Sequence, residues 1–358
     1  MKKRKDFKLK TETNKEKTKL SIDKVLQPDY NGNIIKTALP RRTTEENTMK
    51  KIMTLVLALA MVMTAVCASA TTVGICQLVQ HEALDAATQG FKDALTEKMP
   101  DVKFDEQNAS GDSATCAVIT STFASNGVDL IMANATPALQ AAVAATGDIP
   151  ILATSITEYG VALDIENFSG VTGINVSGTS DLAPLSEQAA MVKELFPDAK
   201  KVGLLYCSAE ANSIYQVKVV GEELAKLGYE TEEFAFTDSN DVASVSALAA
   251  SESDVLYIPT DNTAAAYSET IANELIPANV PAIVGEEGIC RGCGVATLTI
   301  SYYDIGYATG MMAYEILANG ADISAMPIEY APQFVKKYNA ANVEALGLTI
   351  PEGYIAIE

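Results

Sequence analysis

The chain has 358 residues, with 26 Lys and Arg against 46 Asp and Glu and a net charge of −20. That balance excludes a nucleic-acid partner, whose phosphates demand clustered cations. With 48% hydrophobic and 20% charged residues, the composition is that of a packed globular protein rather than a disordered one.

Charge is unevenly spread. Residues 1–48 carry an excess of Lys and Arg, whereas everything after residue 70 is strongly acidic. Met49, Lys50 and Lys51 open a segment built like an export signal, with an apolar run from Ile52 to Val66 and small residues at Ala68-Ser69-Ala70. The run falls short of the ~20 residues of a membrane-crossing helix. Residues 49–70 are therefore read as a signal peptide. Residues 1–48 lack apolar periodicity and are expected to be disordered, or to follow from a start codon assigned too far upstream. Cys67 offers a lipid-attachment position in competition with cleavage after Ala70, but the bulky Val66 before it disfavours that reading.

Behind the signal, short apolar runs alternate with helical patterns. Strands are predicted at Val73–Leu78, Val102–Gln107, Asp129–Ala133 and Pro150–Ala153, with helices between them at Glu82–Lys98, Asp112–Ser125 and Pro137–Ala145. A further strand is predicted at Val171–Val176, and then the cadence restarts. Helices at Asp181–Phe196, Asn212–Leu227, Val242–Ala250 and Asn262–Leu275 are interleaved with strands at Val202–Tyr206, Glu232–Phe236, Val255–Ile258 and Ala282–Val284. Strand, helix and strand follow at Val295–Ile300, Tyr302–Ala318 and Ile328–Val335. This alternation implies an α/β protein of two doubly wound parallel-sheet lobes. Residues 71–176 with 295–325 are expected to form the first lobe, and 177–294 with 326–358 the second. Three crossings between lobes make a hinge, with a ligand cleft between them.

Ligands of open parallel sheets sit beyond the carboxyl ends of the strands. Here those ends run into Gln77, Thr136, Thr154-Ser155, Ser208 with Asn212-Ser213, Thr260-Asp261-Asn262 and Glu286-Glu287. Catalytic signatures are missing: the sequence has no Gly-x-Gly-x-x-Gly, no Walker loop, no Gly-x-Ser-x-Gly and a single histidine, His81. His81 suits a ligand contact better than a base, and no enzyme activity, metal or cofactor is expected. Cys290-Arg-Gly-Cys293 falls in a presumed crossover loop, where a local disulfide is expected, with unpaired thiols as the alternative. Cys76, Cys116 and Cys207 read as small core residues. With no Trp in the chain, Tyr and Phe are left to stack on any flat ligand.

From Val73 to Pro332 the sequence resembles the solute-binding proteins of ABC importers, in the group whose better-known members take tryptophan or tyrosine. The matching stretches are His81-Glu-Ala-Leu-Asp85 with Gly90-Phe91, Gln107-Asn-Ala-Ser-Gly-Asp112, Ala135-Thr-Pro-Ala-Leu-Gln140 and Asn175-Val-Ser-Gly-Thr-Ser-Asp181. In the second half they are Glu210-Ala-Asn-Ser213, Pro259-Thr-Asp-Asn262, Gly285-Glu-Glu-Gly288 and Tyr302-Tyr-Asp-Ile-Gly306. The family's His-Pro-Ala-Leu-Asp has Glu82 in place of Pro here, and its Val-Thr-Asp-Pro is Ile156-Thr157-Glu158-Tyr159. The pair Cys290 and Cys293 is not part of the family pattern.

The resemblance implies a type I periplasmic-binding fold joined by a three-segment hinge. It also implies an exported monomer, in the periplasm or on the outer face of the cytoplasmic membrane and membrane-associated only if lipidated at Cys67. Its partners would be a small zwitterionic ligand such as an aromatic amino acid, an ABC permease and its ATPase. A sensory receptor of the same fold, coupled to a signalling partner, is the alternative. For an amino-acid ligand, the ammonium is expected at Asp261 or, next, Glu210. The carboxylate is expected at Thr136, Ser180, Asn212 and Ser213, with Tyr206, Tyr159 or His81 flanking the side chain. Gln77, Asp85, Thr154, Ser155, Asp181, Thr260 and Glu286 complete the expected ligand-binding set.

Overall fold

The computed structural model describes residues 70–357, so the expected signal peptide, Cys67 and the basic leader lie outside the described residues. Two sheets organise the chain. In the first, β1 (Thr72–Gln77), β2 (Lys103–Asn108), β3 (Leu130–Asn134), β4 (Ile151–Ile156) and β5 (Val176–Ser180) take the order 2-1-3-4-5. The short β11 (Glu329–Tyr330) pairs at the outer edge of β5, and every pairing in this sheet is parallel.

The second sheet repeats the plan. Here β6 (Lys201–Cys207), β7 (Glu230–Phe236), β8 (Val255–Ile258), β9 (Ala282–Val284) and β10 (Ala296–Thr299) run in the order 7-6-8-9-10. The edge is extended by β12 (Val335–Tyr338), antiparallel to β10, and by β13 (Ile355–Ala356). Each sheet therefore reverses its winding once, between β1 and β3 and between β6 and β8. Such switch points leave a crevice at the carboxyl ends of the strands.

Helices cover both faces of each sheet, as parallel strands require. In the first lobe these are α1 (Glu82–Lys98), α2 (Ser113–Asn126), α3 (Thr136–Ala145) and the short α4 (Tyr159–Leu163). The second has α5 (Leu185–Leu195), α6 (Ala211–Lys226), α7 (Val242–Glu252), α8 (Asn262–Ala266), α9 (Ser268–Ala278) and α10 (Glu287–Gly292). The long α11 (Tyr302–Asn319) returns to the first lobe, and α12 (Ala340–Ala345) closes the second. Two apolar layers sandwich each sheet; in the first lobe Phe91 and Leu95 of α1 pack with Met132 of β3 and Met312 of α11 on one side, while Phe123, Ile131 and Leu139 fill the opposite side. Burying one such side chain contributes roughly 1.5–3 kcal/mol.

Glycine sets the closeness of the α1–α11 packing. A Cβ on Gly306 would lie 2.0 Å from the Ala87 carbonyl oxygen, and one on Gly90 would lie 2.2 Å from that of Tyr303. The helices approach at backbone contact, and this fixes the start of α11 where the chain enters the first lobe.

The chain passes between sheets three times: at residues 181–184, at 300–301 and at 331–334. These points differ from the expected lobe borders. Strand β5 belongs to the first sheet because Val176 and Ser177 pair with Ile151 and Leu152. Strand β10 belongs to the second, since Ala296 pairs with Ile283. The strand expected at Ile328–Val335 is two strands, one on each sheet. The helix expected over Asn262–Leu275 is interrupted at Tyr267, which caps α8 and precedes α9.

Candidate functional site

Where the carboxyl ends of the two sheets face each other, a narrow cavity of about 10 Å³ lies between the lobes. Its wall from the first lobe is His81 and Leu84 at the start of α1, Ser155 and Thr157 at the end of β4, Asp181 in the first crossing and Tyr302 beyond the second. From the second lobe come Asn212, Thr260, Asp261, Asn262, Ala265 and Glu286.

Four buried polar atoms in this wall have no hydrogen-bond partner: His81 Nδ1, Ser155 Oγ, Asp181 Oδ1 and Asn212 Oδ1. An unpaired buried polar group costs about 1–3 kcal/mol, so their convergence on one cavity marks a place where a partner belongs. Ser155 adds strain of its own. It holds φ at +57° beside a register shift in β4, a conformation that β-strand residues other than Gly rarely adopt.

The hydrogen-bond network fixes the polarity of these atoms. Glu210 accepts from Asn262 Nδ2 at 2.6 Å, so Asn262 Oδ1 is the end turned to His81 Nε2, 3.3 Å away. Burial holds the His81 pKa below its usual value, although Asn262 and the nearby carboxylates oppose the shift. The neutral ring thus donates through Nε2 and presents the lone pair of Nδ1 to the cavity. Asn212 likewise donates its amide to Glu210 and to the Thr260 carbonyl, leaving Oδ1 as an acceptor. Asp181 Oδ2 is occupied by Tyr302 Oη at 3.0 Å, leaving Oδ1 free. The cavity presents three acceptors and one hydroxyl, and no Lys or Arg lines it.

Carboxylate chemistry follows from burial. Asp181 is 5% exposed, and loss of water pushes its pKa up to about 6 against the pull of Tyr302, Thr157 and its own backbone N–H. Burial raises Asp261 to about 7, with Glu210 repelling it further. Glu286 rises to about 7 for the same first reason.

Asp261 and Glu210 do not have oxygens to spare. Asp261 accepts from Ala264 N and Cys207 N at 2.8 and 2.7 Å. Glu210 takes the N–H groups of Asn262 and Thr263, the Thr263 hydroxyl and the side chains of Asn262 and Asn212. Both work as caps on the start of α8, and the expected ammonium partners are thus already engaged. Glu286 caps α10 through Gly288 N and Ile289 N.

Of the sequence-derived candidates, His81, Ser155, Asp181, Asn212, Thr260, Asp261 and Glu286 come together on the cavity wall. The others stand behind it. Gln77 donates to Asp85 and accepts from Thr88. Thr154 joins Thr179 and Thr309 in a hydroxyl chain under α11. Tyr159 is buried with its hydroxyl on the Ala153 and Thr179 carbonyls, and Tyr206 donates to Glu233. Ser180 donates to the Thr157 carbonyl, Ser213 accepts from Asn212, and Thr136 is buried at the start of α3. Thr157, Asn262 and Tyr302 line the wall without having been in the candidate set. Their signals were the quoted stretches Ile156-Thr157-Glu158, Pro259-Thr-Asp-Asn262 and Tyr302-Tyr-Asp.

Cys290 and Cys293 correct an expectation. They do not sit in a loop: Cys290 lies in α10 and Cys293 caps it, both with free thiols buried in the core of the second lobe. Burial pushes both thiols above their usual pKa, which makes them inert rather than reactive. Among the described residues no group of three or more His, Cys, Asp or Glu is placed to hold a metal, and no helix is long and apolar enough to cross a membrane.

Residues 72–357 match the family described as ABC transporter substrate binding protein. The chain belongs to that family. A tyrosine-binding protein of Clostridioides difficile (strain R20291) is 37% identical to this substrate-binding protein over 263 residues, 72% of this chain and 75% of that one. The crystal structure of an ABC domain in complex with L-Trp from Streptococcus pneumonia is 32% identical, with a TM-score of 0.76, covering 81% of this chain and 100% of its own. A ligand-free, open substrate-binding protein with adhesive properties from Clostridium difficile is 36% identical, covering 80% and 99%. Its TM-score is lower, 0.61. The substrate-binding protein is thus nearer in shape to the L-Trp complex than to the open relative, although the latter is nearer in sequence. Its fold is the expected type I periplasmic-binding one, shared with a leucine-binding protein from Thermotoga maritima at TM-score 0.55.

Proposed function

We propose that this substrate-binding protein captures a small amine-bearing zwitterion, an aromatic amino acid, between its lobes and delivers it to the permease of an ABC importer. The observation that carries the reading is that the residues bearing three unpaired acceptors and one unpaired hydroxyl line a single narrow cavity between the lobes. An ammonium brings three N–H donors, which match Asp181 Oδ1, Asn212 Oδ1 and His81 Nδ1 in number and in polarity. Asp181 supplies the charge. Ser155 Oγ is the donor assigned to the ligand carboxylate, and Leu84 and the Tyr302 ring supply apolar surface for its side chain. The C. difficile and S. pneumonia relatives, whose names specify tyrosine and L-Trp, support the aromatic class.

Most of the wall is buried, so ligand enters and leaves when the lobes part, and the three crossings are the hinge. In this reading residues 49–70 serve as an export signal, the protein works outside the cytoplasmic membrane, and its activity is binding rather than catalysis. The test is a thermal-shift screen of the purified protein against the twenty amino acids, with mass spectrometry of whatever co-purifies. Stabilisation by tyrosine or tryptophan supports the reading. Stabilisation only by sugars or by anions lacking an amine overturns it.

A further inference from the structure

An ion pair joins the lobes outside the cavity. Arg291, from α10 of the second lobe, reaches Glu82 at the start of α1 in the first, with Nε to Oε2 at 2.9 Å and Nη2 to Oε1 at 3.0 Å. This is a two-pronged guanidinium–carboxylate pair, the geometry that best repays the ordering of two long side chains. Neither residue lines the ligand cavity. Arg291 is steadied on its own lobe by Glu287 at 3.4 Å, and Glu287 is held by Lys337 at 2.6 Å.

We propose that Glu82 and Arg291 are positioning residues that form a latch: they stabilise the closed arrangement, slow ligand release and leave ligand choice untouched. This rests on the closure described above. Exposed ion pairs contribute little to the stability of a fold, and these side chains are 51% and 41% exposed. Opening and closing, however, is an equilibrium between two folded arrangements, where a small differential contact shifts populations directly. The pair is made only when the lobes meet, so its whole contribution acts on closure. Being exposed, it is screened by salt.

Two measurements on the full-length protein test the latch. Stopped-flow release of L-tyrosine is compared for the wild type, Glu82→Gln, Arg291→Gln and the exchanged pair Glu82→Arg with Arg291→Glu. At low salt each single variant is expected to release about three to five times faster, with the association rate constant and the ranking of tyrosine against tryptophan unchanged. The difference is expected to vanish in about 0.5 M NaCl. The exchanged pair recovers slow release in part, since the new Glu faces Glu287. Unchanged release, an altered ligand ranking or a defect that persists at high salt overturns the proposal.

The second measurement needs no ligand and so separates failure of the latch from failure of the ligand assignment. Small-angle scattering of the ligand-free protein is expected to show a larger radius of gyration for Glu82→Gln than for the wild type at low salt, converging at high salt. Identical scattering at all salt concentrations contradicts the latch.

Discussion

Tyr302 Oη donates to Asp181 Oδ2 at 3.0 Å, and this one bond ties two of the three interlobe crossings to the wall of the cavity. Asp181 opens the first crossing and Tyr302 follows the second. The bond leaves the other Asp181 oxygen unpaired inside the cavity, and it lowers a carboxyl pKa that burial has raised to about 6. An ammonium ligand needs the ionised carboxylate. Affinity is therefore expected to fall as pH drops through about 6, with Tyr302→Phe moving that midpoint upward. Titration calorimetry from pH 4.5 to pH 8 checks both. A midpoint unmoved by the substitution speaks against Asp181 as the charged partner.

Three buried carboxyls make the ligand-free protein acid-stabilised. Asp181, Asp261 and Glu286 have folded-state pKa values raised to about 6, 7 and 7, above their ordinary values. The folded state then binds more protons than the unfolded chain between about pH 7 and pH 4, and stability falls as pH rises through that window. Thermal unfolding is expected at a higher temperature at pH 5 than at pH 7.5, by about 5 °C or more. Saturating ligand offsets this by pairing with the charged form of Asp181. A ligand-free melting temperature that climbs from pH 5 to pH 7.5 contradicts the assignment.

Glu210 acts through others. It fixes the amides of Asn212 and Asn262 and thereby sets which way His81 faces the cavity. Removing it in Glu210→Ala is expected to cost about 1–2 kcal/mol of stability, as for loss of a helix cap, and to weaken ligand binding at least tenfold. Glu210→Gln keeps the shape but cannot accept from the two N–H groups at both oxygens, so an intermediate loss is expected. Chemical denaturation and calorimetry on the same samples separate the two effects.

The α1–α11 contact has no room for a methyl group. Gly306→Ala puts a Cβ against the Ala87 carbonyl, and separation of the helices is expected to cost about 1–3 kcal/mol. Because α11 carries Tyr302 at its start, ligand affinity falls with stability. Gly320→Ala, at a left-handed cap with open space around it, costs stability without touching affinity.

How much of this was legible in the sequence differs between fold and site. The alternation of strand and helix predicted two doubly wound lobes, because parallel strands buried on both faces leave unbroken apolar runs such as Leu130-Ile131-Met132. Strand β5 escaped that criterion: Ser177-Gly178-Thr179-Ser180 is buried through small polar residues that bond to the Met326 and Thr157 carbonyls, to Thr154 of β4 and to Thr309 of α11, not through an apolar run. In the site, acidic residues at strand ends were readable, but the direction of their oxygens was not. Asp261 and Asp181 look alike in sequence, yet one spends both oxygens on backbone N–H groups and the other keeps one free. Spacing does not distinguish a cap from a ligand contact, and the left-handed backbone of Ser155 has no sequence mark. The segment between β9 and β10 that carries Cys290 and Cys293 is a helical turn with both thiols buried and free, which the spacing of the pair does not reveal.

In the proposed function the cavity recognises an ammonium through Asp181. Titration calorimetry of L-tyrosine against 3-(4-hydroxyphenyl)propanoate, the same molecule without its amine, tests it most directly. The amino acid is expected to bind, with a loss of at least a hundredfold for the deaminated acid and a comparable loss for tyrosine in Asp181→Asn. Equal affinity for the two compounds would contradict it.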